Sequence, residues 1–221
     1  IIYNRANYPE VDMSYENYGN VKCAILLTMY IGGNQKRRDI YMHRLNRWLR
    51  ESPFDIYTIE SSGELLNIKH PRLKQHTFKQ NEKYKGNSTA LERDSILKAY
   101  ERYNSDFQKY DFIFKITGKY YIPSLKDVVK SIKPDTKMLI QHRNHYVNLN
   151  LDMFQNTEIT GYHRTVLYDI TNQIKNEPYY ELQMPSHMRK LRDKNYKVYR
   201  LPRLQLEEFT ERGDGLVLTY L

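Results

Sequence analysis

Short apolar runs and longer amphipathic stretches alternate along the chain. Residues 21–29 (VKCAILLTM) are almost continuously apolar, as in a strand covered on both faces, and they end in Tyr30, Ile31, Gly32, Gly33 and Asn34. Residues 37–50 predict a helix in which Ile40, Leu45, Trp48 and Leu49 share a face, with Arg37, Arg38, Arg44 and Arg47 around it. Pro53 stops that helix. A second strand is expected at 54–59, running into Glu60, Ser61, Ser62 and Gly63, and a shorter one at 72–78. A polar loop at 81–88 leads to a helix at 89–103, capped by Ser88 or Thr89, with Thr89 and Glu92 at the spacing of a capping box. A central strand follows at 110–116.

Beyond it, Pro123 opens a helix over 124–132, and a strand at 137–141 runs into His142, Arg143, Asn144 and His145. Residues 153–160 are polar enough for an edge strand, and 165–175 are helical. A helix over 179–194 contains Pro185, where a kink or break is expected. A strand at 196–201 and a loop at 211–215 complete the pattern, and residues 1–20 read as a polar, tyrosine-rich arm. Strands alternating with helices predict an α/β fold: one domain over 1–221, with a mostly parallel mixed sheet of about six strands flanked by helices.

Composition narrows the partners. The 221 residues are 40% hydrophobic and 28% charged, which fits a globular chain, and the formal charge of +9 favours an anionic partner. Twenty-one tyrosines beside that charge would also suit single-stranded nucleic acid, but the lysines and arginines are spread along the chain. Cys23 is the single cysteine and has neither a disulfide partner nor zinc spacing. No run approaches the roughly 18 apolar residues of a membrane span, and no signal peptide is visible. The expectation is a soluble, cytoplasmic protein.

The chemistry concentrates where the central strand stops. Phe112, Ile113, Phe114 and Ile116 give way to Thr117 and Gly118, bracketed by Lys115 and Lys119, with Tyr120 and Tyr121 next. A buried strand broken by glycine before a helix is where open α/β sheets bind ligands. The other reading is a lysine pair at a sheet edge with no ligand. The strand, Gly-rich loop and helix of the first 50 residues have a common phosphate-binding order, yet lack both G-x-x-x-x-G-K-[ST] and G-x-G-x-x-G.

Several motifs carry a resemblance to a known family. They are Glu60–Ser61–Ser62–Gly63, the helix segment Asn87–Ser88–Thr89–Ala90–Leu91–Glu92–Arg93–Asp94, and the K-x-[ST]-G-[RK]-Y segment Lys115 to Tyr120. Glu181 on a late helix, Pro202–Arg203–Leu204 and Arg212–Gly213–Asp214–Gly215 complete the set. Over roughly residues 21–215 the chain resembles small GT-A-type glycosyltransferases that use nucleotide sugars. It is most similar to the short enzymes encoded by large algal DNA viruses (chloroviruses) and to related bacterial surface-glycan transferases.

The resemblance implies a single GT-A-like domain that transfers a hexosyl or deoxyhexosyl group from a nucleoside-diphosphate sugar, with UDP favoured. The acceptor would be an oligosaccharide or glycoprotein glycan, in surface or capsid glycan synthesis; a viral member would work in host cytoplasm. Thr28 and Tyr30 would line the base pocket, and Glu60 and Ser61 would contact the nucleoside. Arg93 would reach the diphosphate, and Thr117, Gly118 and Lys119 would sit beside the diphosphate and donor sugar. Glu181 would offer a carboxylate near the acceptor, its other reading being a solvated helix residue. Lys115 and Arg212 would add positive charge for the leaving group. His142, His145 and Tyr120 are candidate acceptor contacts; the other readings are a surface strand end for the histidines and a packing role for the tyrosine.

The family's D-x-D, whose carboxylate holds Mn²⁺ or Mg²⁺ on the diphosphate, is missing; Thr117, Gly118 and Lys119 stand at its place. Either a carboxylate from elsewhere serves a metal, or Lys115, Lys119 and Arg93 neutralise the diphosphate. Two readings stay beside the transferase. One is a basic, tyrosine-rich nucleic-acid-binding module, against which no recognisable nucleic-acid motif is found. The other is an inactive relative that only binds sugar nucleotides.

Overall fold

A computed structural model of the protein describes residues 21–142, 155–177, 179–211 and 217–221. The expected arm at 1–20, His145 and Arg212 lie outside the described residues. In chain order the elements are β1 (Cys23–Met29), α1 (Gln35–Glu51), β2 (Asp55–Glu60), β3 (Leu73–Thr77), a 3₁₀ turn (Glu82–Tyr84) and α2 (Ser88–Phe107). They continue with β4 (Phe112–Thr117), α3 (Leu125–Val129), β5 (Thr136–Ile140), β6 (Ile159–His163), α4 (Arg164–Gln173), α5 (Tyr180–Asp193), β7 (Lys197–Arg200), β8 (Gln205–Glu211) and β9 (Val217–Tyr220).

The main sheet has seven strands in the order β3-β2-β1-β4-β6-β5-β7. β1, β2, β3 and β4 pair in parallel, and β6 alone is reversed between β4 and β5, which restores the common direction for β5 and β7. β8 and β9 form a separate antiparallel pair. The alternation of side chains across the central strands gives the sheet two cores. Ile25, Leu27, Phe112, Phe114 and Ile116 pack with Leu45, Trp48 and Leu49 of α1 and Leu125 and Val128 of α3. On the other face Ala24, Leu26 and Ile113 pack with Ile96, Ala99 and Tyr103 of α2 and with apolar residues of α4 and α5. Trp48 is fully buried and donates its indole N–H to the Tyr120 carbonyl at 2.9 Å, tying α1 to the segment after β4.

Three local expectations are corrected. Asn87 caps α2, not Ser88 or Thr89; its side chain accepts from the Ala90 amide at 3.0 Å, so the helix starts one residue earlier than its apolar periodicity does. The strand expected at the edge over 153–160 runs instead from Ile159 to His163, inside the sheet. Its polar appearance hides a packing demand: a Cβ at Gly161 would lie 2.9 Å from Phe114 Cε1 and 3.0 Å from Leu139 Cβ, so both neighbours fill the space a side chain would need. Finally, α5 continues through Pro185 without a break. Proline lacks the N–H that would bond the carbonyl four residues back, at Glu181, and that carbonyl accepts from the Gln155 amide at 3.0 Å instead.

Candidate functional site

From β1 the chain adds β2 and β3 on one side and then crosses to place β4 on the other, so the carboxyl ends of β1 and β4 diverge at the switch point of the sheet. A cavity of about 550 Å³ opens there, between those strand ends, the loop from β3 to α2, and the first turns of α2. Thr28, Tyr30, Ser61 and Thr117 line it, together with Gln80, Lys85, Ser88 and Glu92.

Two loops are stitched to make its wall. The amides of Ile31, Gly32 and Gly33 donate in succession to Glu60 Oε1 (2.8 Å), Ser62 Oγ (3.0 Å) and Glu64 Oε1 (2.6 Å). The Gly33 amide holds the Glu64 carboxyl below its usual range. Gly32 and Gly33 have φ of +59° and +71°, which suits glycine, and a Cβ on Gly32 would lie 2.6 Å from the Tyr30 ring. These amides are engaged within the protein, so the Gly-rich loop is not a phosphate cradle. On the opposite side, the Gln80 amide donates to Ser61 O at 2.9 Å, and Gly86, with φ of +82°, turns the chain into α2. That path puts Lys85 on the cavity wall.

The expected residues divide accordingly. Glu60 is buried, and its two oxygens accept from the amides of Ile31, Ser62 and Glu64 and from Ser62 Oγ, so the carboxylate shapes the wall rather than projecting into it. Gly118 packs the crevice: its amide donates to Thr28 O at 2.9 Å, and a Cβ there would lie 2.6 Å from Met29 Cγ. Lys115 is 2% exposed, forms an ion pair with Glu92 and donates to Thr157 O at 2.7 Å. Arg93 leans toward α4, where it donates to Asn172 O at 3.4 Å, and is not among the cavity-lining residues. Lys119 places its Nζ 5.3 Å from the Tyr120 ring centroid. Tyr120 itself is 1% exposed in the α1 core, which gives it the packing role. His142 follows β5 at the carboxyl edge of the sheet. Glu181, at the start of α5, is half-buried; burial and then the charge of Glu92 raise its carboxyl, while Lys115 acts in the opposite sense.

Gln80, Lys85 and Glu92 were not singled out from the sequence as site residues. One signal was available for Glu92: a lysine inside the apolar strand Phe112–Thr117 requires a counter-charge. No metal cluster is preformed among the described side chains. Among them no group of three or more His, Cys, Asp or Glu residues is placed to hold a metal, and Glu92, facing the end of β4, is already paired with Lys115.

The fold is similar to those of solved glycosyltransferases. A glycosyltransferase involved in the glycosylation of the major capsid of PBCV-1 superposes with a TM-score of 0.52 at 9% identity, over 80% of this chain and 81% of that one. The mannosyltransferase PcManGT from Pyrobaculum calidifontis, solved with GDP-Man and Mn²⁺, gives 0.55 at 11% identity, over 96% of this chain and 62% of that one. The bifunctional glycosyltransferase WbbM gives 0.50 at 12% identity, over 85% of this chain and 40% of that one. No protein-family model matches the chain, and no curated protein does. At these identities the likeness is one of fold, and the fold is GT-A-like. Among the described residues no helix is long and apolar enough to cross a membrane.

Proposed function

We propose that the protein is a glycosyltransferase that takes a sugar from a nucleoside-diphosphate sugar, with uridine as the base, and passes it to a hydroxyl of a surface or capsid glycan. The observation that carries this reading is the cavity at the β1/β4 switch point, where α/β sheets bind nucleotides and where this fold has an opening of about 550 Å³. Tyr30 offers an exposed ring at one wall for a base, and Thr28 and Ser61 flank it. In the transfer the bond from the anomeric carbon to the β-phosphate oxygen breaks, its electron pair leaves on the diphosphate, and the acceptor oxygen bonds to that carbon. The acceptor proton goes to a base, the role this reading gives to Glu181, whose raised carboxyl makes its ionised form more basic.

Charge on the leaving diphosphate needs a cation. Lys85 is the basic side chain on the described cavity wall; it is exposed and has no ion pair with the described residues. Lys85→Ala is therefore expected to weaken UDP binding about tenfold, by loss of a charge-assisted contact, without moving the thermal midpoint. An unchanged dissociation constant would remove Lys85 from the site.

The reading itself is tested by calorimetric titration with UDP and GDP, each with and without Mn²⁺. UDP binding stronger than GDP binding is the expected result. Equal affinity without Mn²⁺ would leave the protein's own cations to hold the diphosphate, whereas a requirement for Mn²⁺ would call for a carboxylate outside the described residues. Failure of both nucleotides to bind would overturn the proposal, and salt-sensitive binding of single-stranded RNA in the same preparation would replace it.

A further inference from the structure

Ser88, Leu91, Glu92 and Ser95 recur at helical spacing and turn one face of α2 to the cavity, while Ala90, Ile96 and Ala99 turn another to the core. Glu92 is the charged member of the cavity-facing stripe. Its Oε1 is paired with Lys115, whose ammonium is sealed between α2, β4 and the Thr157 carbonyl. The two side chains are 2% (Lys115) and 24% (Glu92) exposed, so the cation lies behind the wall and the carboxylate forms part of its surface. Its second oxygen, Oε2, takes no hydrogen bond from the described residues. An ionised carboxylate only accepts hydrogen bonds, and it repels phosphate. What it can receive is a hydroxyl, and charge-assisted bonds of that kind are short and strong.

We propose that Glu92, held in place by Lys115, is the receptor for a sugar hydroxyl pair of the bound nucleotide sugar: the ribose 2′ and 3′ hydroxyls, or those of the transferred sugar. The inference rests on the nucleotide-sugar reading. It deepens that reading by giving the ligand a direction, with hydroxyls on Glu92 and phosphates kept away from it. It also supplies a carboxylate from α2 on the side of the cavity where the end of β4 has none.

The test is a coupling measurement. Wild type and Glu92→Gln are titrated with UDP, 2′-deoxy-UDP, 3′-deoxy-UDP and a panel of UDP-hexoses, or with the guanosine series if GDP is the nucleotide that binds. If the ribose is the partner, Glu92→Gln weakens UDP about tenfold. Removing the contacted hydroxyl then weakens the wild type similarly and leaves the variant unchanged. If the transferred sugar is the partner, UDP and its deoxy forms bind both proteins alike and only the UDP-hexoses lose affinity. Because Glu92→Gln leaves Lys115 without its counter-charge, the double variant Lys115→Met/Glu92→Leu, in which neither charge remains, is read in the same way. Uniform affinity across both variants, or an equal loss with every ligand, would overturn the assignment. So would coupling to N3-methylation of the uracil in place of a hydroxyl. Absence of nucleotide binding by the wild type would instead bring down the underlying reading.

Discussion

Lys115→Met is expected to lower folding stability by about 3 kcal/mol, whereas Lys115→Met/Glu92→Leu returns to within about 1 kcal/mol of the wild type. The reason is asymmetric. Lys115 sits on a fully covered strand, and its ammonium satisfies both the Glu92 carboxylate and the Thr157 carbonyl. Deleting the cation alone strands a carboxylate beside an apolar core and removes the donor from a buried carbonyl, whereas deleting both charges removes the desolvation cost along with the attraction. The estimate is at the low end for a broken buried pair because Glu92 keeps 24% of its side chain accessible. Urea denaturation followed by the fluorescence of Trp48, the single tryptophan and fully buried, reports the values directly. A single variant as stable as the wild type would show that water takes over the role of Lys115. A double variant that is stable but binds UDP-sugars poorly would separate the pair's structural part from its part in recognition.

Glu60→Ala has the second large effect. Its carboxylate receives three amides and one hydroxyl and joins the loop after β1 to the loop after β2. Leaving buried or half-buried amides without an acceptor costs about 1–3 kcal/mol each. Water can reach some of them, so a loss of about 3 kcal/mol in all is expected, and nucleotide binding should disappear with it. Glu60→Gln keeps one acceptor oxygen and should fall in between. The family resemblance implies that Glu60 is a nucleoside contact, and the two roles predict different pairs of results. A wall-building carboxylate loses stability and affinity together, whereas a direct ligand contact would lose affinity at unchanged stability.

The fold was legible wherever burial leaves a local trace. The apolar runs of β1 and β4 and the faces of α1 and α2 announce themselves, and they set the parallel core of the sheet. β6 did not, because Gly161 owes its place to the bulk of Phe114 and Leu139 on neighbouring strands, which no local period records. The site was half legible for the same reason. Residues at strand ends, such as Thr28, Ser61 and Thr117, follow from the topology and do line the cavity. Gln80 and Lys85 reach it because a loop is hydrogen-bonded back to Ser61 and turned by Gly86, and Arg93 misses it because its guanidinium finds α4. Lys115 was visible as a charge in an apolar strand. Which way it points, and that Glu92 answers it, depends on the packing of α2 across the sheet.

Pro185 makes positions 30 residues apart in the chain answer to each other. A helix with a full set of intrahelical bonds has no acceptor to spare before its last turn; by withholding one N–H, Pro185 leaves the Glu181 carbonyl open, and Gln155 closes it. Gln155 is thus keyed to a single peptide group of α5, that of Glu181, whose carboxyl feels the charges of Glu92 and Lys115. Sequence drift at 185 would be felt first at that joint and then at the carboxylate, without any change in the residues that touch a ligand. A proline that looks like a helix breaker acts here as a latch, and its hold is set by a bond it cannot make.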